Sequence, residues 1–271
     1  MPGRLALAWC AGLVLLVAVP TTPARALIGG TTTSNPGYAV ALTYRASYGG
    51  NAADREFCTG TLIDVEWVLT AAHCLADGTR LREYEVVLGR TRLSNGGGEI
   101  IRPARHYIHP RYRRSGNAGH DIALIHLARA ASQATAPIAS ATLATSWAPG
   151  SYVLVLGWGY TCPAETTKCQ GDDLKSAPSR VRSDAACVRA MGRIERATEM
   201  CTKTADVSLG GGDSGGPAVI STPAGPRLVG VNSWGQVDRR DHAVVGGWMG
   251  YAEVAGTRLA TWIQKIIAAA P

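Results

Sequence analysis

The sequence predicts an all-β protein that is rich in turns and ends in one α-helix. Its 271 residues contain 32 glycines and only four lysines, which favours a turn-rich β-protein over one built of long helices. Apolar residues make up 46% and charged residues 17%, a balance that supports a core and excludes an extended disordered chain. Short extended runs alternate with turn residues, as in strands joined by loops. The length allows one large or two small domains.

Residues 1–26 have the pattern of a secretory signal peptide. They contain no acidic residue, and an apolar run extends over Leu5–Val19. Two prolines and then the small-x-small site Ala24–Ala26 follow. A transmembrane anchor is the less favoured alternative, because the run is short for a span of ~20 residues. We therefore expect a secreted, extracellular protein.

Removal of this segment explains the odd number of cysteines. It takes away Cys10 together with two arginines, and leaves 245 residues with six cysteines and a net charge of +5. Six cysteines in an exported protein indicate three disulfides, and fifteen pairings are open to the sequence alone.

The remaining positive charge is mostly arginine, and part of it is clustered. A solvated face is the favoured interpretation, and contact with a polyanion or a cell wall is the alternative. No nucleic-acid-binding motif accompanies the cluster, so we expect no nucleic-acid partner. The clustered residues are Arg102, Arg105, Arg111, Arg113 and Arg114.

Seven runs are predicted as strands because turn residues bound them and several are rich in β-branched or aromatic residues. They are Tyr38–Tyr44, Gly60–Leu69, Tyr84–Leu88, Ile122–Leu127, Tyr152–Leu156, Pro217–Ile220 and Arg227–Asn232. The clearest helix is Thr257–Ala269, in which Leu259, Ile263 and Ile266 share one side. The stretch Ala130–Thr145 has neither pattern and is expected to connect two β-rich halves.

Two short motifs carry groups with chemical potential. His73 lies in Thr70–Cys74 (TAAHC), at the end of a strand-like run and among small residues that let another backbone approach. A lone histidine is more often structural. Asp121 precedes an apolar strand, where a half-buried carboxylate needs partners.

The third motif, Gly210–Pro217 (GGGDSGGP), is the most specific. Its glycines allow a tight loop whose backbone N–H groups can point one way. Ser214 in the middle is then exposed beside donors for a developing oxyanion, and a histidine oriented by a carboxylate is the usual base for such a serine. A flexible linker is the alternative, but linkers do not usually carry an acid, a nucleophile and a proline before a strand.

In the order His, Asp, Ser, the three motifs resemble the chymotrypsin/trypsin family of serine proteases. The resemblance covers residues 27–271. Further landmarks are Leu27–Gly30 (LIGG), Gly157–Gly159 (GWG), the run of Ser233, Trp234 and Gly235, and Trp262–Ile263.

The resemblance implies two antiparallel six-stranded Greek-key β-barrels and a C-terminal α-helix, with the active site between the barrels. Residues 27–138 would form the N-terminal barrel with His73 and Asp121. Residues 139–271 would form the C-terminal barrel with Ser214 and the helix.

The implied function is that of a secreted serine endopeptidase working through an acyl-enzyme. Ser214 would attack the scissile carbonyl, with His73 as general base and then acid, and Asp121 would orient the imidazole. The N–H groups of Gly212 and Ser214 would form the oxyanion hole. Ser233–Gly235 would pair with the substrate backbone, with Ser233 hydrogen-bonded near Asp121.

The resemblance also implies the disulfides. One pair would anchor the histidine loop, a second would flank the loop before the serine segment, and the two remaining cysteines would staple a rim loop. These pairs are Cys58–Cys74, Cys187–Cys201 and Cys162–Cys169.

The specificity pocket departs from the family pattern. Members that cut after lysine or arginine carry an aspartate six residues before the nucleophile, where this chain has Ser208. Gly210 replaces a cysteine, so the pocket wall lacks its usual disulfide. Met249 stands where a glycine usually opens the pocket. We expect an apolar or small side chain before the cleaved bond.

Activation in the family uses a new N-terminal amine that pairs with the acid before the nucleophile, here Asp213. Signal cleavage after Ala26 would release Leu27 as that N-terminus without an inhibitory propeptide. Cleavage after Ala24 would instead leave the dipeptide Arg25–Ala26 for a second enzyme.

We expect no cofactor and no metal. The family's calcium loop needs several acids, whereas this chain has Arg90, Arg92 and Asn95 there, with Glu99 the only acid nearby. The expected partners are protein or peptide substrates and a protein inhibitor, with no membrane contact after signal removal, and the chain is expected to be a monomer.

The alternative function is that of a catalytically weak or inactive family member that acts as a binding or adhesion protein. Such members usually lack one triad residue, and all three are present here. The excess of arginine over lysine and the minimal propeptide favour a bacterial exported enzyme.

Overall fold

The computed structural model describes residues 27–76, 78–113, 118–162, 169–240 and 243–270. The predicted signal peptide with Cys10, and Arg114 of the arginine cluster, lie outside these residues. The other four arginines of that cluster are exposed. No helix in the described part of the chain is long and apolar enough to cross a membrane.

The described chain is mostly β-structure, with three α-helices. The strands are β1 Thr31–Thr32, β2 Ala39–Tyr44, β3 Glu56–Asp64, β4 Trp67–Thr70, β5 Tyr84–Leu88, β6 Glu99–Ile101, β7 Pro103–Ile108, β8 Ala123–Leu127, β9 Tyr152–Gly157, β10 Lys175–Val181, β11 Glu199–Thr204, β12 Pro217–Thr222, β13 Gly225–Arg240 and β14 Ala243–Glu253. The helices are α1 His73–Ala76, α2 Asp184–Met191 and α3 Arg258–Ala269.

The C-terminal strands close into an antiparallel barrel. The order β9-β10-β11-β14-β13-β12 returns to β9, because β12 pairs with β9 as well as with β13. In β9 the side chains alternate, with Val153 and Val155 buried while Tyr152 and Leu154 face outward. This is the period of a strand with one face on the core. The short β1 is added outside, on β10.

The N-terminal strands form a second sheet in the order β6-β5-β2-β3-β4-β8-β7. Its two edge strands are consecutive in the chain and are separated by Arg102 alone, so the sheet must curl until its edges meet. The predicted fold class is confirmed. Each sheet has seven strands rather than six, because β1 joins the C-terminal sheet and the β6–β7 segment of the N-terminal sheet is interrupted at Arg102.

Most predicted strands coincide with observed ones, and two differ in extent. The run Gly60–Leu69 is divided between β3 and β4, which turn at Val65 and Glu66. The run Arg227–Asn232 continues to Arg240, because β14 pairs with β13 along its length. Strands β1, β6, β7, β10 and β11 lie outside the runs predicted from the sequence, since they are short or mix polar and apolar residues without a clear period.

Helix α3 coincides with the predicted C-terminal helix. The Thr257 side chain caps it by accepting the Leu259 N–H, and Leu259 and Ile263 are buried on one side. The predicted connector includes a 3-10 helix, Ala141–Trp147. Helix α2 was not predicted. It is short, begins at a Ser183 cap and buries only Cys187.

The two sheets are held together by chain segments that cross between them. Leu93 donates its N–H to Asp172 and Leu174 donates to Thr91, at 2.9 and 2.7 Å. The Trp158 indole, which is fully buried, also donates to the Thr91 carbonyl. These bonds fix the angle at which the two sheets face one another.

The three disulfides implied by the family resemblance are confirmed. Cys58–Cys74, Cys162–Cys169 and Cys187–Cys201 are all formed. Each closes a short loop of one sheet, so none of them links the two halves.

Two buried histidines lie where the C-terminal helix meets the N-terminal sheet. The rings of His109 and His120 are 4.9 Å apart, and Trp262 of α3 packs edge-on against His109 at 4.8 Å. Burial, the nearby His120 and Arg111 lower the pKa of His109 to about 4. Burial also lowers the pKa of His120, although Glu195 opposes this. Both rings are therefore neutral at pH 7.

This cluster predicts a loss of stability in acid. The unfolded chain takes up protons below the ordinary histidine pKa of 6.5, whereas folded His109 does so only near 4. As the pH is lowered from 6.5 to about 4, the unfolding free energy should therefore fall by up to about 3 kcal/mol because of this group. The thermal midpoint should fall with it. His109→Gln should flatten the slope, measured by calorimetry against pH. A matched control is His126→Gln, which should keep it, and an unchanged slope in His109→Gln would contradict the assignment.

Candidate active site

His73 follows a strand, β4, and two fully buried alanines that come after it. β4 leads through Ala71–Ala72 into the single turn of α1, which begins at His73. Small residues are needed because the glycine loop packs against this turn, and a side chain on Gly215 would begin 2.9 Å from the Ala71 nitrogen. The Cys58–Cys74 disulfide ties the turn to β3.

Asp121 is a buried carboxylate whose two oxygens serve three donors. It follows a 3-10 turn, precedes β8 and is 3% exposed. Oδ1 accepts the His73 backbone N–H at 2.8 Å. Oδ2 accepts the Ser233 hydroxyl at 2.6 Å and lies 2.7 Å from His73 Nδ1. Because a carboxylate can only accept, the proton between the two belongs to Nδ1, which leaves Nε2 as the basic nitrogen.

Ser233 reaches Asp121 from a bulge in β13. The register of β13 against β14 shifts between Asn232 and Trp234, so Ser233 is an extra residue in the ladder. A bulge of this kind re-aims one side chain. The contact between Ser233 and Asp121 was expected from the family resemblance, but the bulge that produces it was not.

The loop that carries Ser214 is held by the backbone of both sheets. The Ser214 carbonyl accepts the Thr59 N–H from β3, and the Gly215 N–H donates to Asn232 of β13, both at 2.8 Å. Gly215 has a φ of +80°, and a side chain there would begin 2.3 Å from the Thr59 carbonyl oxygen. Only glycine lets the loop come this close to β3.

Ser214 therefore lies beside the elements that carry His73. The Cys74 sulfur is 3.9 Å from its carbonyl oxygen, and Cys74 directly follows His73. The Ser214 hydroxyl makes no hydrogen bond within the described residues. Such bonds are often long in free proteins and tighten when a substrate binds.

The same loop presents two backbone donors. The N–H groups of Gly215 and Gly216 donate to carbonyls, whereas those of Gly212 and Ser214 have no acceptor within the described residues. The Gly212 carbonyl accepts the Thr59 hydroxyl at 3.0 Å, which fixes the peptide between Gly212 and Asp213 that separates the two donors. Two preorganised donors in a rigid loop suit a negative charge that develops on an oxygen atom.

Asp213 braces the loop from the C-terminal barrel. It is 1% exposed, and its carboxylate accepts the N–H groups of Gly159 and Gly210, both at 2.9 Å. A side chain on Gly159 would begin 2.6 Å from the Asp213 carboxyl carbon, so this neighbour must be glycine.

Leu27, the predicted partner of Asp213, is fully buried in the core of the C-terminal barrel. The next residue, Ile28, accepts the Ser208 N–H at 2.9 Å. In the given sequence Leu27 follows Ala26, so its nitrogen belongs to a peptide bond. The pairing of a free amine with Asp213 therefore stays a prediction.

The predicted specificity residues lie where β13 and β14 pair. Ser208 is 2% exposed, and the fully buried Met249 stands opposite Gly235 in the register. The Met249 sulfur accepts the Tyr251 hydroxyl at 3.2 Å. A side chain on Gly247 would begin 2.8 Å from the Ser208 hydroxyl. This part of the site therefore presents a hydroxyl and a thioether that are both tightly packed.

Glu56 is a residue of this site that the sequence analysis missed. Its carboxyl group lies against the loop, since a side chain on Gly212 would begin 2.6 Å from Oε2. Burial raises the pKa of Glu56 well above its usual value, and the negative charge of Asp213 raises it further. The available signal was an acid directly before the only phenylalanine and Cys58, at the start of an otherwise buried strand.

Within the described residues, one group of side chains has the spacing of metal ligands, namely Cys58, His73 and Cys74. The two sulfurs are bonded to each other, and a disulfide is not a thiolate ligand. In the segment that corresponds to the family's calcium loop, Glu99 pairs with Arg129 at 2.6 Å and accepts the Ser132 N–H. The carboxylate oxygens of Glu99 are therefore engaged by protein donors.

Comparison with known proteins gives consistent matches over this region. The family model described as Trypsin matches residues 28–263. The chain is 34% identical over 187 residues to a protein named Trypsin from Saccharopolyspora erythraea, which covers 67% of this chain and 77% of that protein. It is 30% identical to Serine protease 1 of Canis lupus familiaris over 232 residues. This alignment covers 81% of this chain and 83% of that protein.

Proposed function

The chain belongs to the trypsin family and is a serine-type endopeptidase, and we propose that it cuts peptide bonds with His73, Asp121 and Ser214. The observation that carries this assignment is the short contact of 2.7 Å between His73 Nδ1 and a buried carboxylate. That contact holds the ring in the tautomer that can accept a proton at Nε2.

In the proposed mechanism, Ser214 Oγ attacks the carbonyl carbon of the scissile bond while its proton passes to His73 Nε2. The carbonyl oxygen becomes an oxyanion that is bound by the N–H groups of Gly212 and Ser214, each worth about 3–4 kcal/mol in the transition state. The C–N bond then breaks, and Nε2 gives its proton to the leaving amine. Water, activated by His73, hydrolyses the acyl-enzyme and restores Ser214.

The substrate backbone would lie along Ser233–Gly235 as an added strand. Gly235 is exposed, whereas Ser233 is already committed to Asp121. Backbone pairing gives affinity without regard to sequence, so side-chain selection falls to the region of Ser208 and Met249. Since Ser208 carries no charge and Met249 occupies volume opposite Gly235, we propose a small or apolar side chain before the cleaved bond.

Secretion is proposed from the signal-like residues 1–26 and from the disulfides. Three disulfides fit an oxidising compartment. Cleavage after Ala26 would create a Leu27 amine as the proposed partner of the buried Asp213. The division into a barrel of residues 27–138 and a barrel of residues 139–271 is part of the same proposal.

The first prediction concerns the nucleophile. A fluorophosphonate probe should label the purified protein at Ser214, and Ser214→Ala should abolish labelling and lower peptidase turnover by about 10⁶-fold. The exposed Ser221 provides a matched control, because Ser221→Ala should leave both readouts unchanged. A wild-type protein that is folded yet neither labelled nor active would support the alternative of a binding or adhesion protein.

The second prediction concerns specificity. Profiling on a peptide library should show cleavage after small or apolar residues, with lysine and arginine disfavoured. Ser208→Asp combined with Met249→Gly should shift cleavage toward lysine and arginine, because it adds a charge and removes the thioether. Dominant cleavage after arginine by the wild-type protein would refute the proposed preference.

The third prediction concerns activation. Sequencing of the secreted protein should find Leu27 at its N-terminus, whereas an inactive form that begins at Arg25 would rule out direct activation. Asp213→Asn should lower kcat by about 10²-fold, comparable to the loss of one oxyanion donor, since it removes the partner of the amine. The control is Asp206→Asn, an exposed acid on the same segment, which should retain wild-type kcat.

A further inference from the structure

Glu56 brings a second carboxyl group to the loop that carries Ser214. It opens β3 and is 9% exposed. A side chain on Gly212 would begin 2.6 Å from Oε2 and 3.2 Å from Oε1 of Glu56, so both oxygens face this glycine. Three residues along the same strand, Thr59 donates its hydroxyl to the Gly212 carbonyl and its N–H to Ser214. β3 therefore supports the loop Gly210–Pro217, here called the oxyanion loop, at two points.

Among the described residues, no cation acts on the Glu56 carboxyl to favour its ionised form. Its Oε1 is buried without a hydrogen-bond partner. Its neighbour Arg55 is turned away toward Glu85, at 3.1 Å. From β2, the paired residue Thr43 contributes a hydroxyl that is itself buried and unpartnered. The charged group that acts on Glu56 from the loop is Asp213, which is also an acid.

The two neighbouring acids differ in their surroundings. The carboxylate of Asp213 accepts two backbone N–H groups, which favour its charged form. Glu56 has no such donor within the described residues. When two carboxyl groups compete at close range, the proton stays on the one with fewer donors. Glu56 is therefore the acid that holds the proton.

We propose that Glu56 is a positioning residue of the oxyanion loop that acts in its neutral form, and that its ionisation lowers turnover. The inference rests on the proposed function, because it requires the oxyanion at Gly212. A neutral carboxyl group fits against the Gly212 peptide. An ionised one places a negative charge beside Gly212, the residue whose N–H must bind a developing negative charge, and it also repels Asp213.

This arrangement acts on the transition state rather than on substrate binding. The oxyanion exists only while the carbonyl is being attacked, so the added charge should lower kcat and leave KM nearly unchanged. The wild-type enzyme should therefore lose kcat as the pH rises through the raised pKa of Glu56 and its carboxyl group ionises. The free amine of Leu27, if it pairs with Asp213, would lose its proton as a separate step.

The test compares kcat and KM against pH for wild type, Glu56→Gln and Glu253→Gln. Glutamine has the shape of a neutral glutamate and cannot ionise, so this variant should keep at least about tenfold more of its maximal kcat where wild type has lost it. Glu253 is another half-buried glutamate whose pKa is raised by burial, but its carboxylate accepts the indole N–H of Trp147 at 2.9 Å. The Glu253→Gln profile should follow wild type. A Glu56→Gln profile that coincides with wild type would overturn the inference.

A second readout does not depend on activity. A glutamate with a raised folded pKa contributes its full stability below the ordinary value of 4.5, and this contribution is lost as the pH rises through the folded pKa. Glu56→Gln should remove that decline of the thermal midpoint. If this decline is removed but wild type has no peptidase activity, the proposed function fails while the buried proton stands. If Glu56→Gln does not fold, Glu56→Met, which is also uncharged, takes its place, and a decline that persists in it overturns the inference.

Discussion

The burial of Asp121 is the constraint on which the site depends. A carboxylate that is 3% exposed must be compensated by donors, and here they come from both sheets: two from His73 after β4 and one from Ser233 on β13. The two sheets must therefore meet at this point. The same compensation fixes the imidazole, so the requirement to satisfy a buried charge and the requirement to orient a base are met by one set of bonds.

A second constraint is the closeness of the Ser214 loop to its surroundings. Gly159, Gly212 and Gly215 each lie where a side chain would begin within 2.1–2.6 Å of another residue. Space requires glycine at all three positions, and the positive φ of Gly212 and Gly215 requires it there as well. Because the loop is confined, the N–H groups of Gly212 and Ser214, which have no acceptor in the part of the chain that the structure describes, are held in place before any charge develops. The same confinement brings Glu56 and Asp213 together, so the protonation of one buried acid can affect the loop.

The proposed specificity region is supported by backbone pairing between β13 and β14. β13 and β14 pair by backbone hydrogen bonds from Gly230 to Arg240, which supports the wall where the family disulfide is missing. The register sets Met249 against Gly235, and the buried Tyr251 hydroxyl anchors its sulfur. A wall built from backbone pairing leaves the side chains free to vary. Changes at Ser208 and Met249, the proposed specificity residues, are therefore expected to leave the proposed triad intact.

The sequence by itself determined the fold class, the triad motifs and, through the family resemblance, the three disulfides, because these follow from local composition, spacing and motif order. Tertiary structure alone decided that β13 extends to Arg240 and carries a bulge at Ser233, since pairing with β14 stabilises residues whose own pattern is weak. It also decided the importance of Glu56, which reads as an ordinary acid near a strand. Its neighbours Gly212 and Asp213 are more than 150 positions away in the chain, and burial between them, which no local pattern encodes, gives the carboxyl group its role.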